Sequence, residues 1–156
     1  MVARTVLLVA LLWAGAAVPQ TFRDWQVVRG GDECLLKQSL LSRNSGAMFA
    51  QVVLQRQGAG ATLALRVPTG ASLSSGIGYR IGAGPLYMLD WINCNADLCL
   101  AIRSLPDEEL RAILRGREML VGFRPLPDSR PLNLPVSLMG VTAGWRALED
   151  CEGAAG

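Results

Sequence analysis

The chain contains no histidine among its 156 residues. Imidazole is the usual general base of serine and cysteine hydrolases and the commonest metal ligand, so both kinds of site lose their most frequent component. Lysine is almost missing as well, since Lys37 is the only one among 15 basic residues. The formal net charge is +2 at pH 7, which gives no indication of nucleic-acid binding or of attraction to an anionic membrane.

Long hydrophobic runs are also lacking, although 51% of the residues are hydrophobic. The main run, Thr5–Trp13, is shorter than the roughly 20 residues that a membrane-spanning helix requires. It follows Arg4 and precedes the small residues of Ala14–Ala17, an order that is typical of a secretory signal peptide. An uncleaved membrane anchor is the alternative interpretation.

We therefore predict a signal peptide over residues 1–17, cleaved after Ala16 or Ala17, and export to the periplasm or out of the cell. Residues 18–151 are enough to form one domain and too few to form two domains of ordinary size, so we expect a single β-rich domain. The tail over residues 152–156 is expected to be disordered. The mature chain contains no candidate membrane span.

Four cysteines, Cys34, Cys94, Cys99 and Cys151, lie in the part of the chain that would be exported. An even number of cysteines outside the cytoplasm indicates disulfide bonds. The short spacing favours a local Cys94–Cys99 bond, which leaves Cys34 to pair with Cys151. A bond from Cys34 to Cys94 or to Cys99 is the alternative that remains open.

Short runs of β-favouring residues, separated by glycine and proline turns, occupy most of the mature chain. Since no βαβ repeat is present, we predict an all-β fold, an antiparallel β-sandwich or barrel-like domain with two short helices in the C-terminal third. The helices are expected at Ser104–Gly116, with Ser104 as the N-cap, and at Gly140–Asp150. The predicted strands are 21–29, 33–41, 47–56, 62–67, 77–81, 86–92, 98–103, 118–124 and 135–139, with a short extended piece at 71–75.

Groups for catalysis or metal binding are few. Asp90 and Asp97 are the only carboxylates near the centre of the chain, and we expect both to be solvated rather than paired for acid catalysis. Export would tend to oxidise Cys94 and Cys99, and their C-x4-C spacing differs from the C-x-x-C of thioredoxin-like sites. We therefore predict no metal, no cofactor and no enzymatic activity. A periplasmic enzyme using carboxylates and a thiol–disulfide redox protein using Cys94 and Cys99 are the alternatives.

Several short motifs occur in a characteristic order. They are F-x-D-W at Phe22–Trp25, VPTGASLSSGIGYRIG at 67–82, Cys99-Leu100-Ala101, a helix that ends at Gly116 before Val121-Gly122-Phe123, and V-S-L-x-G at Val136–Gly140. This ordered set resembles the invasion-associated locus B family of exported bacterial proteins over about residues 22–149. The chain departs from the family pattern at Val28–Gly30, where the family often has a cysteine, and at Gly82, where an acidic residue is common.

The resemblance implies a small β-rich periplasmic or surface protein, and it supplies no catalytic residues. It also implies that Cys151 substitutes for the missing family cysteine as a disulfide partner. We therefore predict a non-enzymatic binding or envelope protein, involved in host-cell or envelope interaction, whose partner is an unidentified protein or envelope component. The predicted binding surface comprises the loops around Tyr79, Arg80 and Asp97, together with the proline-rich loop Pro125–Pro135.

Overall fold

The computed structural model describes residues 19–30 and 33–153, with side chains as far as Cys151. The predicted signal peptide, residues 31–32 between the first two predicted strands, and residues 154–156 of the predicted tail lie outside the described residues. Within the described part, no helix combines the length and the apolar character needed to cross a bilayer.

The described residues form ten strands and two helices. Strands form where apolar residues alternate with polar ones. The first helix begins with three acidic residues and ends at Arg115, and these charges complement the helix dipole. The strands are β1 (Gln20–Phe22), β2 (Trp25–Gly30), β3 (Glu33–Leu41), β4 (Met48–Gln57), β5 (Gly60–Pro68), β6 (Ile77–Ile81), β7 (Tyr87–Cys94), β8 (Leu98–Leu105), β9 (Glu118–Phe123) and β10 (Leu132–Ser137). The helices are α1 (Asp107–Arg115) and α2 (Val141–Gly153), and a 3-10 turn spans Leu73–Ser75.

All ten strands lie in one sheet, in the order β1-β2-β3-β4-β5-β8-β7-β6-β9-β10. Consecutive strands pair from β1 to β5, and β8, β7 and β6 then follow in reverse order. β6 thus lies between β7 and β9, antiparallel to both. The all-β class with two helices in the C-terminal third, as predicted, is confirmed.

The sheet curves into a half-barrel in which β2 and β3 approach the end of the last strand, β10. Trp25 Nε1 on β2 donates a hydrogen bond of 2.9 Å to the carbonyl oxygen of Ser137, the last residue of β10. Gln38 Nε2 on β3 donates to the same oxygen at 3.2 Å. One curved sheet therefore forms the domain, which is the barrel-like form of the prediction and not the sandwich.

The two faces of the sheet differ because side chains alternate along each strand. Trp25 on β2, Leu65 on β5, Tyr79 on β6 and Val121 on β9 have no exposed surface, and they belong to one hydrophobic core on the inner face. Burial of such a large apolar side chain contributes about 1.5–3 kcal/mol. The inward set therefore fixes the register, and the residues between them face outward.

The helices cover part of the inner face. α2 packs against β2 and β3 and touches β1 and α1, while α1 packs against β8. Trp145 and Leu148 are buried on α2, and Ile113 is buried on α1. Cys151 on α2 is bonded to Cys34 on β3, so a covalent link holds the last helix against an early strand.

Two predicted segments near the strands differ in the structure. The first strand is interrupted after Phe22, because Arg23 has a φ of 55° and turns the chain so that Phe22 pairs with Trp25. The piece at 71–75, predicted to be extended, contains the 3-10 turn at Leu73–Ser75.

The predicted bounds of four later elements also differ. β8 continues to Leu105, so α1 begins at Asp107 with Pro106 at its N-cap, and Ser104 lies within the strand. β10 ends at Ser137, and α2 reaches Gly153, two residues past the predicted end of the domain at 151.

Candidate functional site

The outer face of the sheet carries a groove whose floor has no side chains. Gly78 on β6 lies directly opposite Gly122 on β9, and the two strands are hydrogen-bonded neighbours. The next strands on each side continue the same row with Met88 on β7 and Asn133 on β10. Two facing glycines therefore leave a trough between the side chains of β7 and β10.

The walls of this groove are largely apolar. Leu86 and Met88 form one wall, and Pro131 and Asn133 form the other. Leu86 is 64% exposed and Met88 is 47% exposed, although both are large hydrophobic side chains. The groove has a volume of about 250 Å³. The groove is therefore a shallow, mainly apolar depression that is open to solvent.

The two floor glycines differ in what they would tolerate. A Cβ atom on Gly78 would lie 2.7 Å from the backbone oxygen of Tyr87, which cannot move away without disturbing β7. A Cβ atom on Gly122 would meet the Asn133 side-chain oxygen at 3.1 Å, and that side chain can rotate. The close backbone approach explains glycine at position 78, whereas no such contact requires it at position 122.

An arginine lies toward each end of the groove. Arg80 is two residues beyond Gly78 on β6, and it lines the continuation of the groove with Leu120. Arg124 is two residues beyond Gly122 on β9, which runs in the opposite direction. The Arg124 Nη1 donates a 2.8 Å hydrogen bond to the Ser129 carbonyl oxygen, which holds the proline-rich loop. Since the lining contains no acidic residue, the groove is electropositive at both ends.

On the inner face, behind the groove, a buried carboxylate joins three elements. The Glu109 carboxylate on α1 receives two hydrogen bonds from the Arg103 guanidinium on β8, from Nε at 2.7 Å and from Nη2 at 2.9 Å. The Tyr79 hydroxyl on β6 donates to the same carboxylate. The guanidinium carbon of Arg103 also lies 5.2 Å from the centre of the Tyr87 ring. This cluster docks α1 onto the sheet.

The protonation states of this cluster are well defined. Burial raises the pKa of the Tyr79 hydroxyl far above its usual value, and the hydrogen bond to Glu109 raises it further. The hydrogen bond to Glu109 likewise raises the pKa of Arg103. Tyr79 therefore stays protonated and Arg103 stays charged at physiological pH. The hydrogen bonds of the cluster link β6 and β8 to α1.

Comparison with known proteins places the chain in a family. A family model described as invasion associated locus B (IalB) protein matches residues 25–149. The chain belongs to the IalB family. The predicted resemblance is therefore confirmed, and it extends over nearly all the residues that the structure describes. No curated protein matched the chain.

A solved structure has the same fold as this IalB-family chain. The crystal structure of invasion associated protein B from Bartonella henselae matches it with a TM-score of 0.76. The two sequences are 16% identical, and the match covers 88% of this chain and 99% of the other. At that identity the likeness shows the fold alone.

The structure separates the three binding residues predicted for this IalB-family chain. Tyr79 was expected to contribute to the binding surface, and that expectation is wrong, because Tyr79 has 0% exposure. It shares the inner face of β6 with Ile77 and Ile81, whereas Arg80 between them faces outward and is exposed. Asp97 is exposed on the turn after β7, at the other end of that strand from Arg80.

The proline-rich loop lies at the same end of the sheet as Asp97. The Thr69 amide donates to the Asp97 carbonyl oxygen at 3.0 Å, and the Ser72 amide donates to the Arg124 carbonyl oxygen at 2.9 Å. A Cβ on Gly70 would lie 3.2 Å from Leu126. The loops after β5, β7 and β9 are therefore packed together, whereas Arg80 lies at the other end of the sheet, and the binding role of these loops stays a prediction.

The carboxylates considered for catalysis are isolated. Asp90 faces outward on β7 opposite Ile102, and Asp97 lies on the following turn. Both are exposed. Among the described residues, no group of three or more carboxylates, cysteines or histidines is arranged to hold a metal ion. Neither Asp90 nor Asp97 lines the groove on the outer face.

All four cysteines form disulfides in the structure, Cys34 with Cys151 and Cys94 with Cys99. This is the pairing that the sequence favoured. Cys94 and Cys99 lie directly opposite each other on β7 and β8, and the bond closes the turn between these strands. Cys99 is buried and Cys94 is exposed. The pair thus fastens the turn that carries Asp97.

Sequence reasoning did not find the groove. Its floor and walls come from four strands, and only the register brings Gly78, Gly122, Met88 and Asn133 into one row. A signal was present, because the strands I-G-Y-R-I and E-M-L-V-G-F each contain one glycine at an outward position. A glycine inside a strand often marks close approach by a ligand or another backbone.

Proposed function

We propose that this IalB-family chain is an exported, non-enzymatic binding protein of the periplasm or cell surface. It contacts a protein or envelope component through the outer groove. The observation that carries this proposal is the groove itself, in which facing glycines lie below large apolar side chains that are about half exposed or more. Exposed apolar patches of this kind mark interaction sites on soluble proteins.

Export is supported by the signal-like N-terminus and by the disulfides. Residues 1–17 have the charged, apolar and small-residue order of a signal peptide, with a mature domain from residue 18. The Cys34–Cys151 bond spans a sequence separation of 117 residues. A bond of that kind persists only in an oxidising compartment, so a cytoplasmic location would deprive the fold of one of its main constraints.

The non-enzymatic character is supported by the state of the groups that could act in catalysis. The chain has no histidine, and the buried Tyr79–Glu109–Arg103 cluster is fully occupied with its own hydrogen bonds. The groove contains arginines but no carboxylate, thiol or serine–base pair. The apolar side chains and arginines of the groove are suited to binding a partner.

Site-specific photocrosslinking in living bacteria tests this proposal. A photoreactive phenylalanine at position 88 should give a covalent adduct with a partner, because Met88 forms a groove wall. The same residue at position 49 is the matched control, since Phe49 is also a half-exposed hydrophobic residue, 43% exposed, but lies on β4. The adduct at position 88 should disappear when Gly122→Val fills the floor.

Two results would contradict the proposal. The first is an adduct pattern at position 88 that Gly122→Val does not change, or that position 49 reproduces. The second is a mature chain that does not begin at Ala17 or Val18, or that remains in the cytoplasm with free thiols. N-terminal sequencing and thiol counting on the fractionated protein measure both properties.

A further inference from the structure

The shape of the groove favours a flat, apolar occupant. The floor is open at Gly122, where an added Cβ would meet only the rotatable Asn133 side-chain oxygen at 3.1 Å, whereas Gly78 is buried beneath Leu86 and Met88. Aromatic rings are the side chains that cover glycine in a sheet, because a planar ring packs closely on an exposed backbone. The Met88 sulfur also lies beside this floor, since a Cβ on Gly78 would meet it at 2.9 Å. Thioether sulfur makes favourable contacts with aromatic rings.

The openness of the groove favours one anchoring side chain over a whole small molecule. Pockets for small organic ligands usually measure about 300–1,000 Å³ and bury most of the ligand. The groove measures about 250 Å³ and its continuation beside Arg80 about 410 Å³, but both are open along the surface and would leave much of a small ligand in water. Protein interfaces, by contrast, depend on single aromatic anchors that fill small pockets.

The two arginines of the groove indicate how a bound segment would run and which residues would flank its anchoring side chain. Arg80 and Arg124 each lie two residues from a floor glycine, and antiparallel pairing places them on opposite sides of the glycine pair. Two residues along a strand correspond to roughly 7 Å. In an extended peptide lying along the strands, the residues two positions before and two positions after the anchoring residue would lie at the same distance of roughly 7 Å from it. Carboxylates at those positions would match the two guanidinium groups.

We propose that the groove binds an extended peptide segment of a partner protein with the pattern acidic-x-aromatic-x-acidic. The aromatic ring covers Gly122 and packs against the Leu86 and Met88 side chains, and the flanking carboxylates pair with Arg80 and Arg124. The inference rests on the proposed function, because it names the class of partner for the same groove.

Direct binding of a defined peptide tests the inference. The probe is a fluorescein-labelled nonapeptide, Gly-Ser-Asp-Ala-Phe-Ala-Asp-Ser-Gly, titrated by anisotropy with the mature protein in its oxidised form. One comparison peptide replaces Phe by Ala, and a second replaces both Asp residues by Asn. We expect the Phe→Ala peptide to bind at least about tenfold more weakly, since an aromatic hot spot exceeds the 1.4 kcal/mol that a tenfold change represents. We expect the Asp→Asn peptide to bind about three- to tenfold more weakly, with a difference that shrinks at high salt.

Protein variants locate the binding. Gly122→Val should abolish binding because its side chain occupies the floor, and thermal denaturation is used to check that the variant remains folded. Gly60→Val is the matched control, since Gly60 lies at the start of β5 and a Cβ there makes only an ordinary 3.6 Å contact. Arg80→Gln should remove the effect of one Asp without disturbing the floor, and Arg43→Gln in the exposed β3–β4 loop should change nothing.

Three results would overturn the inference. The first is no binding of the Phe peptide by folded protein, or equal binding of the Ala peptide. The second is Gly122-dependent binding of decanoate without peptide binding, which would make the groove a site for anionic amphiphiles. The third is Gly122-dependent dimerisation in sedimentation experiments without peptide binding. If crosslinking at position 88 still captures a partner in those cases, the proposed function stands and only the peptide chemistry fails.

Discussion

Replacing Glu109 by alanine tests whether the buried carboxylate docks α1 onto the sheet. Glu109 is 3% exposed, and it accepts one hydrogen bond from the Tyr79 hydroxyl and two from the Arg103 guanidinium. In Glu109→Ala the Tyr79 hydroxyl remains buried and loses this acceptor. The guanidinium of Arg103 loses its only ion pair in the described part of the chain.

The magnitude follows from the exposure of the two partners. A buried hydroxyl left without its acceptor costs about 1–3 kcal/mol. The Arg103 side chain is 31% exposed, so water replaces part of its pairing and its loss is closer to the 0.2–1 kcal/mol of a surface pair than to that of a fully buried one. We therefore expect Glu109→Ala to lower the free energy of unfolding by about 2–3 kcal/mol. At ~4 °C per kcal/mol for a domain of this size, Tm should fall by about 8–12 °C.

Urea and thermal denaturation of four variants measure this effect. Glu108→Ala is the matched control, because Glu108 is exposed in the same first turn of α1 and should cost only about 0.5 kcal/mol through the helix dipole. In a Tyr79→Phe background no hydroxyl is stranded, so Glu109→Ala should cost about 1 kcal/mol less there. Equal costs in both backgrounds, or equal costs for Glu108→Ala and Glu109→Ala, would refute the docking role.

Two further predictions concern the disulfides and alkaline pH. Removing the Cys34–Cys151 bond should lower the free energy of unfolding by about 5 kcal/mol, and removing the Cys94–Cys99 bond should lower it by about 2 kcal/mol. The reason is that the chain-entropy cost grows with the logarithm of the loop length, and the separations are 117 and 5 residues. Urea denaturation of the two double alanine variants measures both effects, and the opposite order would contradict this account. Because the pKa of Tyr79 is raised above its ordinary value of 10.0 in the folded state, its contribution is fully present below pH 10 and is lost as the pH rises above it. The urea midpoint of the wild type should therefore fall more steeply between pH 9 and 11 than that of Tyr79→Phe, and parallel curves would argue against a buried, protonated hydroxyl.

Local chemistry made most of the fold predictable. Glycine and proline turns divide the chain into strands, and the acidic start and arginine end of the segment before Gly116 indicate α1. The C-x4-C spacing indicates the turn between β7 and β8, where Cys94 and Cys99 lie opposite each other. Boundaries were wrong where a single residue decides them, as at Arg23, whose positive φ divides the first predicted strand into two.

The site was harder to predict because it depends on register. Alternation in Ile77–Ile81 puts Tyr79 on the face of the two isoleucines and Arg80 on the other face, so the burial of Tyr79 follows from the sequence once β6 is known to have a core on one side. The pairing of Gly78 with Gly122 joins segments that are 44 positions apart in the sequence numbering. No local pattern in either strand specifies that pairing.

The two floor glycines allow a structural requirement to be separated from a functional one. Gly78→Ala should lower the free energy of unfolding by about 1–3 kcal/mol, because its Cβ would lie 2.7 Å from the Tyr87 backbone oxygen. Gly122→Ala should leave the free energy of unfolding unchanged or raise it by about 0.5–1 kcal/mol, because alanine restricts the conformations of the unfolded chain. In the folded state, only the rotatable Asn133 side chain lies near the added methyl group. Thermal denaturation of both variants measures the contrast, with Gly60→Ala as the control for adding a methyl group to a strand. A gain in stability at position 122 combined with weaker peptide binding would mean that this glycine serves the groove and not the fold, whereas a loss as large as that at position 78 would show that the sheet itself requires both glycines.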